Sequence, residues 1–198
     1  MVGLDLLIIT NELHIFDIHL LNRLDRVAEK KRELGQFFTR DSVWLKPHIK
    51  SHIEDLSKKY NSAFDPFAGE GHLLKVSEFF GLDSLGCDID PSISKRNGWQ
   101  TNDSITNVIK HKDSFVLTNP PYLAKNSARK MKSEMIKYFE RGYVKGIEDS
   151  EFSTLDDLFK IAIAKTINIY NDSIWIVPES GIQYLSLIHI SEPTRLRR

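Results

Sequence analysis

The sequence of 198 residues is poor in features that mark several classes of protein. It has a single cysteine, Cys87, which excludes an intramolecular disulfide and favours a reducing compartment. Lysine plus arginine and aspartate plus glutamate each number 27, so net charge does not by itself indicate nucleic acid. The apolar run at residues 6–9 follows Asp5 and no basic segment, so we expect neither a signal peptide nor a membrane span. The expected location is the cytoplasm.

Several ligand motifs are also missing. No Gly-Lys-Ser/Thr sequence is present for a triphosphate, and the glycine-bearing segment at residues 65–71 lacks the full spacing of a dinucleotide fingerprint. His48 and His52 lie four residues apart, but no carboxylate or third histidine accompanies them at a ligand spacing. We therefore expect no metal site, and no arrangement of Ser, His and Asp suggests a nucleophile.

The composition and the apolar patterns predict one α/β domain. Hydrophobic residues make up 41% of the chain and charged residues 27%, which is ordinary for a globular protein. Helical patterns run from Leu13 to about Leu34, from Ser42 to Tyr60, after Gly71 and from Ser153. Between them lie short apolar runs typical of buried strands, at residues 63–64, 84–87, 99–101, 115–117 and 173–177. This alternation predicts a mostly parallel sheet flanked by helices.

Polar residues follow these predicted strands, where a parallel sheet binds its ligands. Asp65 opens the glycine-bearing loop, Asp88 ends the next strand, and Asp103 follows the third. Asp88 lies 23 positions after Asp65, close to the offset of about 20 residues at which a nucleotide-binding fold holds a ribose. The pattern indicates a bound nucleoside without a pyrophosphate.

The fourth strand ends in Asn119-Pro120-Pro121-Tyr122. Two prolines stiffen this turn, so the Asn119 side chain and the Tyr122 ring should be held in one arrangement. Alone, the tetrapeptide is equally compatible with a rigid connection that carries a structural tyrosine. Residues 125–145 hold seven basic residues against Glu134 and Glu140, which fits either a solvated surface or phosphate contacts.

Taken in order, these segments resemble the adenine-specific DNA methyltransferases of restriction-modification systems, in the group whose catalytic region precedes the target-recognition region. The resemblance covers roughly residues 30–182. It rests on Gly35-Gln36-Phe37-Phe38-Thr39, Asp65 to Gly71, Asp88-Ile89-Asp90-Pro91, Asp103, Asn119-Pro120-Pro121-Tyr122 and Asp157-Leu158-Phe159.

The resemblance implies a Rossmann-like fold that binds S-adenosyl-L-methionine. Thr39 and the 65–71 loop would hold the methionine portion, Asp88 the ribose hydroxyls and Asp103 the adenine amino group. The full expected cofactor set is Phe37, Thr39, Asp65, Phe67, Gly69, Gly71, Asp88, Ile89, Asp103 and Asn119. This chain departs from the family at Arg40, where proline is common, and at Glu70, where a second small residue is common.

The expected catalytic residues are Asn119, Pro120 and Tyr122. The Asn119 oxygen and the Pro120 carbonyl would accept hydrogen bonds from the adenine amine, while Tyr122 would stack on an adenine rotated out of double-stranded DNA. The resemblance also implies a bacterial or archaeal cytoplasm and a cognate endonuclease partner. A protein-glutamine or RNA methyltransferase and an inactive methylase fragment are the alternatives, and residues 35–39 favour DNA over the glutamine enzymes.

The resemblance also divides the chain. Residues 1–40 are expected to form a helical segment and a loop over the cofactor, and residues 41–185 a partial methyltransferase catalytic domain. In the family this domain continues past the fifth strand into an antiparallel hairpin, so we expect the sheet to be incomplete at its C-terminus. Residues 186–198 fit neither structural period, end in basic residues and are expected to be a non-native tail.

Overall fold

The computed structural model describes residues 4–9, 13–16, 47–148 and 152–178. Its strands are β1 Leu4–Ile9, β2 Leu13–Phe16, β3 Ser62–Asp65, β4 Asp83–Asp88, β5 Gln100–Thr101, β6 Ser114–Thr118 and β7 Ser173–Pro178. Its helices are α1 Pro47–Ser57, α2 His72–Phe79, α3 Pro91–Asn97, α4 Lys125–Lys130, a 3-10 helix at Glu134–Phe139 and α5 Leu158–Ile167.

The strands form one sheet in the order β2-β1-β7-β6-β3-β4-β5. The five strands from β7 to β5 are mutually parallel. This confirms the predicted α/β fold with a mostly parallel sheet and helices around it. From β3 the chain winds through β4 to β5 and then returns to the other side of β3 for β6 and β7. The winding direction therefore reverses between β3 and β6, and such switch points form ligand crevices.

Alternating residues of the central strands build two apolar layers. In β6, Phe115 and Leu117 pack with α1, whereas Val116 belongs to the other layer. In β7, Ile174 joins the α1 layer and Trp175 the opposite one, which also contains α5. Because side chains alternate across a strand, these runs cover both faces of the sheet with apolar groups.

The helix predicted from Leu13 is wrong at its start. Leu13–Phe16 forms β2, which pairs antiparallel with β1, and β1 pairs antiparallel with β7 from Leu4↔Pro178 to Ile9↔Ser173. The apolar spacing of these residues fits a helix. The edge of β7, however, has backbone groups that hydrogen-bond to β1, and β1 in turn pairs with β2, which local periodicity does not predict. An antiparallel hairpin therefore lies beside the fifth parallel strand, and it comes from the N-terminal part of the chain. The rest of the predicted helix lies outside the described residues.

The helix predicted from Ser153 begins later, at Leu158, with Asp157 as its N-cap. The Asp157 carboxylate accepts a hydrogen bond from the Phe159 amide at 3.4 Å and another from the Leu123 amide at 3.1 Å. Ala124 and Asp157 also form an antiparallel bridge, so tertiary pairing holds the preceding residues out of the helix. Within the described residues, no helix combines the length and the apolar character needed to cross a membrane.

Candidate functional site

A cavity lies at the carboxyl ends of the parallel strands. Its volume of about 110 Å³ is several times what one water molecule requires. It is lined by Asp65, Phe67, Ala68, Gly69, His72, Leu73, Asp88, Ile89, Ile93, Asn102, Asp103, Ser104, Ile105, Asn119, Pro120, Pro121, Met135, Tyr138 and Leu158. The lining combines apolar walls with three carboxylates and two amides, which is the usual character of a ligand site.

Asp65 is a buried carboxylate at the end of β3, with 1% of its surface exposed. Its Oδ1 accepts hydrogen bonds from the Thr118 hydroxyl at 2.6 Å and from the Phe67 amide at 2.9 Å. Burial raises the pKa of Asp65 to about 7, although both hydrogen bonds act against that rise. The side chain thus joins β3, the glycine-bearing loop and β6 at the switch point.

The glycine-bearing loop is fastened to β4. The Ala68 amide donates to the Cys87 carbonyl at 2.8 Å, and the Gly69 amide donates to Asp88 Oδ2 at 2.9 Å. Gly71, at φ +76°, lies against the indole of Trp99, where a Cβ would stand 2.6 Å from a ring carbon. Both the backbone conformation and the close ring therefore require glycine at this position.

Asp88, at the end of β4, is 5% exposed. Its two oxygens accept the Gly69 and Asp90 amides, at 2.9 and 2.8 Å. Burial is the largest influence on Asp88 and raises its pKa. Because each carboxylate oxygen has two acceptor positions, Asp88 retains capacity to accept from a ligand hydroxyl. Beside it, Ile89 lines the cavity with 47% of its surface exposed.

Asp103 has a partner that the sequence did not indicate. Its Oδ2 accepts a hydrogen bond of 3.0 Å from the hydroxyl of Tyr138, while its Oδ1 accepts the Ile105 amide at 3.2 Å. Tyr138 comes from the 3-10 helix and is 1% exposed. Burial raises the pKa of Tyr138, with the Asp103 charge acting in the same direction, so its hydroxyl stays a donor.

The 119–122 turn follows β6 and contributes Asn119 and both prolines to the cavity wall. The Tyr122 hydroxyl lies 2.5 Å from Asn119 Oδ1 and also contacts the Ile176 carbonyl, and its one proton can serve one acceptor at a time. Its ring meets Phe159 edge-on, with centroids 6.0 Å apart. Burial raises the pKa of Tyr122 well above its ordinary value.

Asp157 holds the chain that leaves this turn. Besides accepting the Leu123 amide, it precedes Leu158, whose amide donates to the Leu123 carbonyl at 3.2 Å. Burial raises the pKa of Asp157 to about 6, against its hydrogen bonds to the Phe159 and Leu123 amides. Through Leu158, the start of α5 also reaches the cavity. The segment Asp157-Leu158-Phe159 thus supports the turn from behind.

Most of the predicted site residues meet at this cavity. The residues that line it are Asp65, Phe67, Gly69, Asp88, Ile89, Asp103, Asn119 and Pro120. Two predicted residues of the described chain are not part of its lining, because Gly71 packs on Trp99 and Tyr122 is turned toward Phe159 and β7. Phe37 and Thr39 lie outside the described residues. The assigned roles of all these residues stay predictions.

Sequence reasoning missed several residues of the site. Tyr138 and Met135 reach the cavity from the 3-10 helix, within a segment whose visible signal is its basic charge. Asn102 is adjacent to Asp103 in sequence and donates to the Ser104 hydroxyl at 2.9 Å. Adjacency to a predicted strand end was a usable signal for Asn102, whereas no local pattern distinguishes Tyr138 from other aromatic core residues.

The departure at Glu70 leaves the cavity open. The Glu70 carboxylate turns outward and forms an ion pair of 2.7 Å with Arg96 of α3. Glu70 is consequently absent from the cavity lining, while its neighbour Gly69 is part of it. The larger side chain is therefore compatible with a ligand in this loop. Arg40 lies outside the described residues.

No protein-family model matches the chain, and no curated protein matches its sequence. Among the described residues, no three His, Cys, Asp or Glu side chains come together as metal ligands would. The fold and the site define the class as an α/β protein with a mostly parallel sheet and a partly polar cavity at its switch point.

Proposed function

We propose that this chain carries the catalytic fold of a methyltransferase that uses S-adenosyl-L-methionine to methylate the exocyclic amine of adenine in DNA, as the modification part of a restriction-modification system. The observation that carries the proposal is one shared cavity. Asn119 and Pro120 line the same space as Asp65, Asp88 and Asp103. The turn that could accept hydrogen bonds from a planar nitrogen and the carboxylates that could hold a nucleoside therefore border the same cavity.

The cavity residues fit the proposed cofactor. Asp65 and Asp88 end the adjacent strands β3 and β4, and Asp103 follows β5. With neighbouring strands about 4.8 Å apart, the three carboxylates are spread over roughly 10 Å, the scale of a nucleoside with an attached chain. A carboxylate beside the glycine-bearing loop suits an ammonium group, and two further carboxylates suit ribose hydroxyls and an adenine amino group.

The 119–122 turn would supply the chemistry. An exocyclic adenine amine is a weak nucleophile because its lone pair is delocalised into the ring. Acceptance of its two hydrogens by Asn119 Oδ1 and the Pro120 carbonyl would localise that pair on nitrogen. When bound, S-adenosyl-L-methionine would supply a methyl group activated by a sulfonium sulfur, with a neutral thioether as the leaving group. The surplus proton on nitrogen then passes to water, so positioning matters more than a general base.

Tyr122 would have to leave its present contacts in order to stack on the base. Its hydroxyl lies against Asn119 Oδ1, the oxygen that the amine would need, and its ring packs against Phe159. An adenine extruded from the duplex would compete for Asn119, and a rotated Tyr122 ring could then stack on the base. Stacking on the base would therefore exchange the contacts of Tyr122 with Asn119 and Phe159 for a contact with adenine.

The first experiment compares substrates and one substitution. Calorimetry with S-adenosyl-L-methionine measures cofactor binding. Transfer of a labelled methyl group to duplex DNA, to RNA and to a glutamine-containing peptide then identifies the acceptor. We expect transfer to the adenine of duplex DNA, and Asn119→Ala should lower it by about 10²–10³-fold at saturating S-adenosyl-L-methionine.

The exposed Asn126, outside the cavity, provides the matched control Asn126→Ala, which should behave as the unchanged chain. Transfer to the peptide or to RNA alone would contradict the DNA assignment. Cofactor binding without transfer to any acceptor would favour the inactive fragment, and an Asn119→Ala variant with normal turnover would overturn the role of the amide.

A further inference from the structure

The chain from Lys125 to Lys145, called the basic segment below, concentrates charge of one sign. It contains α4, the 3-10 helix and the turn that follows. Seven of its 21 residues are basic and two are acidic, a net charge of +5 in a chain whose formal net charge is zero. The remaining 177 residues therefore carry a net charge of −5, so the excess is local to this segment.

The inner side of the basic segment is fixed in the protein core. Ala128, Tyr138, Phe139 and Val144 are all less than 5% exposed, and Tyr138 also lines the cavity. The outer side carries the exposed basic residues, which are Arg129, Lys130, Lys132, Arg141 and Lys145. One segment thus forms part of the cavity wall and holds positive charges on the outside.

Three of these cations, Arg129, Lys130 and Lys132, have no carboxylate partner among the described residues, whereas several cations elsewhere do. Elsewhere, Arg96 pairs with Glu70 and Lys58 with Asp55. Within the described residues, Arg129, Lys130 and Lys132 form no ion pair. An ordinary solvated surface mixes both signs, whereas an unneutralised group of cations raises the local potential and attracts polyanions.

Aromatic and apolar side chains accompany the cations. Lys137 Nζ lies 5.2 Å from the ring centre of Tyr138 and 5.8 Å from that of Tyr143, whose rings meet edge-on. Tyr143 is 40% exposed and Met131 is 44% exposed. Surfaces that bind single-stranded nucleic acid combine basic groups for the backbone with aromatic faces for bases, whereas with a duplex the cations alone would contact the backbone.

We propose that the basic segment binds the sugar-phosphate backbone of duplex DNA beside the base that enters the 119–122 turn. This inference rests on the proposed function, because it takes the substrate of that turn to be DNA. Arg129, Lys130 and Lys132 contact phosphate groups and hold the duplex at the cavity mouth. Such contacts position the duplex without reading its sequence.

The test measures how salt weakens binding of a labelled, mixed-sequence DNA duplex. The variant is Arg129→Gln with Lys130→Gln and Lys132→Gln, three exposed positions whose loss leaves the core intact. If each residue neutralises one phosphate, the slope of log Kd against log salt concentration should decrease by about 2.7. The affinity should fall equally for duplexes of different sequence, and calorimetric binding of S-adenosyl-L-methionine should be unchanged.

A matched control removes three positive charges elsewhere, with Lys75→Gln, Lys95→Gln and Lys110→Gln, which are also exposed. It should keep the original slope. An equal decrease in the control, an unchanged slope in the basic-segment variant, or no duplex binding by the unchanged chain would overturn the proposal. Tighter binding of an RNA of the same length, lost in the basic-segment variant, would overturn the choice of DNA.

The two proposals can fail separately. If the chain methylates DNA but the salt dependence of Kd is the same in the basic-segment variant, the proposed function is supported and the proposed DNA-binding surface is contradicted. If the salt dependence of Kd decreases in the basic-segment variant but the unchanged chain transfers no methyl group, the DNA-binding surface is supported and the proposed function is contradicted.

Discussion

The hydroxyl of Thr118 donates a hydrogen bond of 2.6 Å to Asp65 Oδ1, which joins the ends of β6 and β3 where the winding of the sheet reverses. Both side chains are buried, at 0% and 1% exposure. Among the described residues Asp65 has no basic partner, and a carboxylate buried in this way is costly to ionise. The Thr118–Asp65 hydrogen bond therefore connects the buried acid at the switch point to β6, the strand that leads into the 119–122 turn.

The pKa of Asp65 predicts a pH-dependent stability. Burial raises this pKa from 3.8 to about 7 in the folded protein. Between these values the folded state holds a proton that the unfolded state has lost, so the contribution of Asp65 to stability falls as pH rises. Asp65→Asn cannot ionise and should gain stability relative to the unchanged chain as pH rises from 4 to 7. Urea unfolding of both proteins at three pH values measures this difference.

The comparison cancels Asp157, whose pKa is also raised by burial, because both proteins contain it, whereas the charge of Asp88 acts on the pKa of Asp65 and belongs to the measured difference. A difference in unfolding free energy that stays constant from pH 4 to 7 would contradict a buried, largely protonated Asp65.

The contact between Gly71 and Trp99 predicts that two similar glycines respond differently to alanine. Gly71 and Gly81 have φ values of +76° and +73°, so alanine strains the backbone equally at both. At Gly81 a Cβ meets nothing within 4 Å, whereas at Gly71 it meets the Trp99 ring at 2.6 Å. Gly71→Ala should therefore cost about 1–3 kcal/mol more than Gly81→Ala in chemical unfolding.

A double-mutant cycle isolates the ring contact. Trp99→Leu should reduce the penalty of Gly71→Ala and leave that of Gly81→Ala unchanged. Equal penalties for the two glycine substitutions, with or without Trp99, would show that the ring does not restrict this loop.

Tyr122 should tolerate loss of its hydroxyl better than loss of its ring. Tyr122→Phe removes the contacts to Asn119 and Ile176 and should lower the unfolding free energy by about 1 kcal/mol. It keeps the ring that would stack on an extruded adenine. Tyr122→Ala should weaken methyl transfer further, by about 1–3 kcal/mol of transition-state stabilisation. Single-turnover assays on duplex DNA compare the variants, and equal losses in both would argue against stacking.

Tyr138 should affect the affinity for S-adenosyl-L-methionine indirectly, by positioning the Asp103 carboxylate. Tyr138→Phe removes the hydroxyl from Asp103 Oδ2 and keeps the buried ring, so it should weaken binding of S-adenosyl-L-methionine by about 1 kcal/mol. An analogue with hypoxanthine in place of adenine lacks the amino group expected at Asp103 and should lose less affinity. Calorimetry with both ligands separates the two effects. Equal losses for both ligands would indicate a general structural role and contradict positioning of Asp103.

Most of the sheet and much of the site were predictable, for a physical reason. A buried parallel strand is a short apolar run, and its carboxyl end is marked by the polar residue that follows. That pattern located β3, β4, β6 and β7, and it brought Asp65, Asp88, Asp103 and Asn119 to one edge of the sheet. The predicted helix at Leu13 failed because the same residues pair as a strand with β1.

The sequence by itself determined the order of the parallel strands from β3 onward and the polar residues at their ends, since both depend on local apolar patterns. Only the tertiary structure decided which distant groups meet. The β1 and β2 strands extend the β7 edge, Tyr138 reaches Asp103 across 35 residues, and Tyr122 turns its hydroxyl to Asn119 and Ile176. These contacts follow from packing and hydrogen-bond satisfaction in the folded chain, for which local periodicity carries no signal.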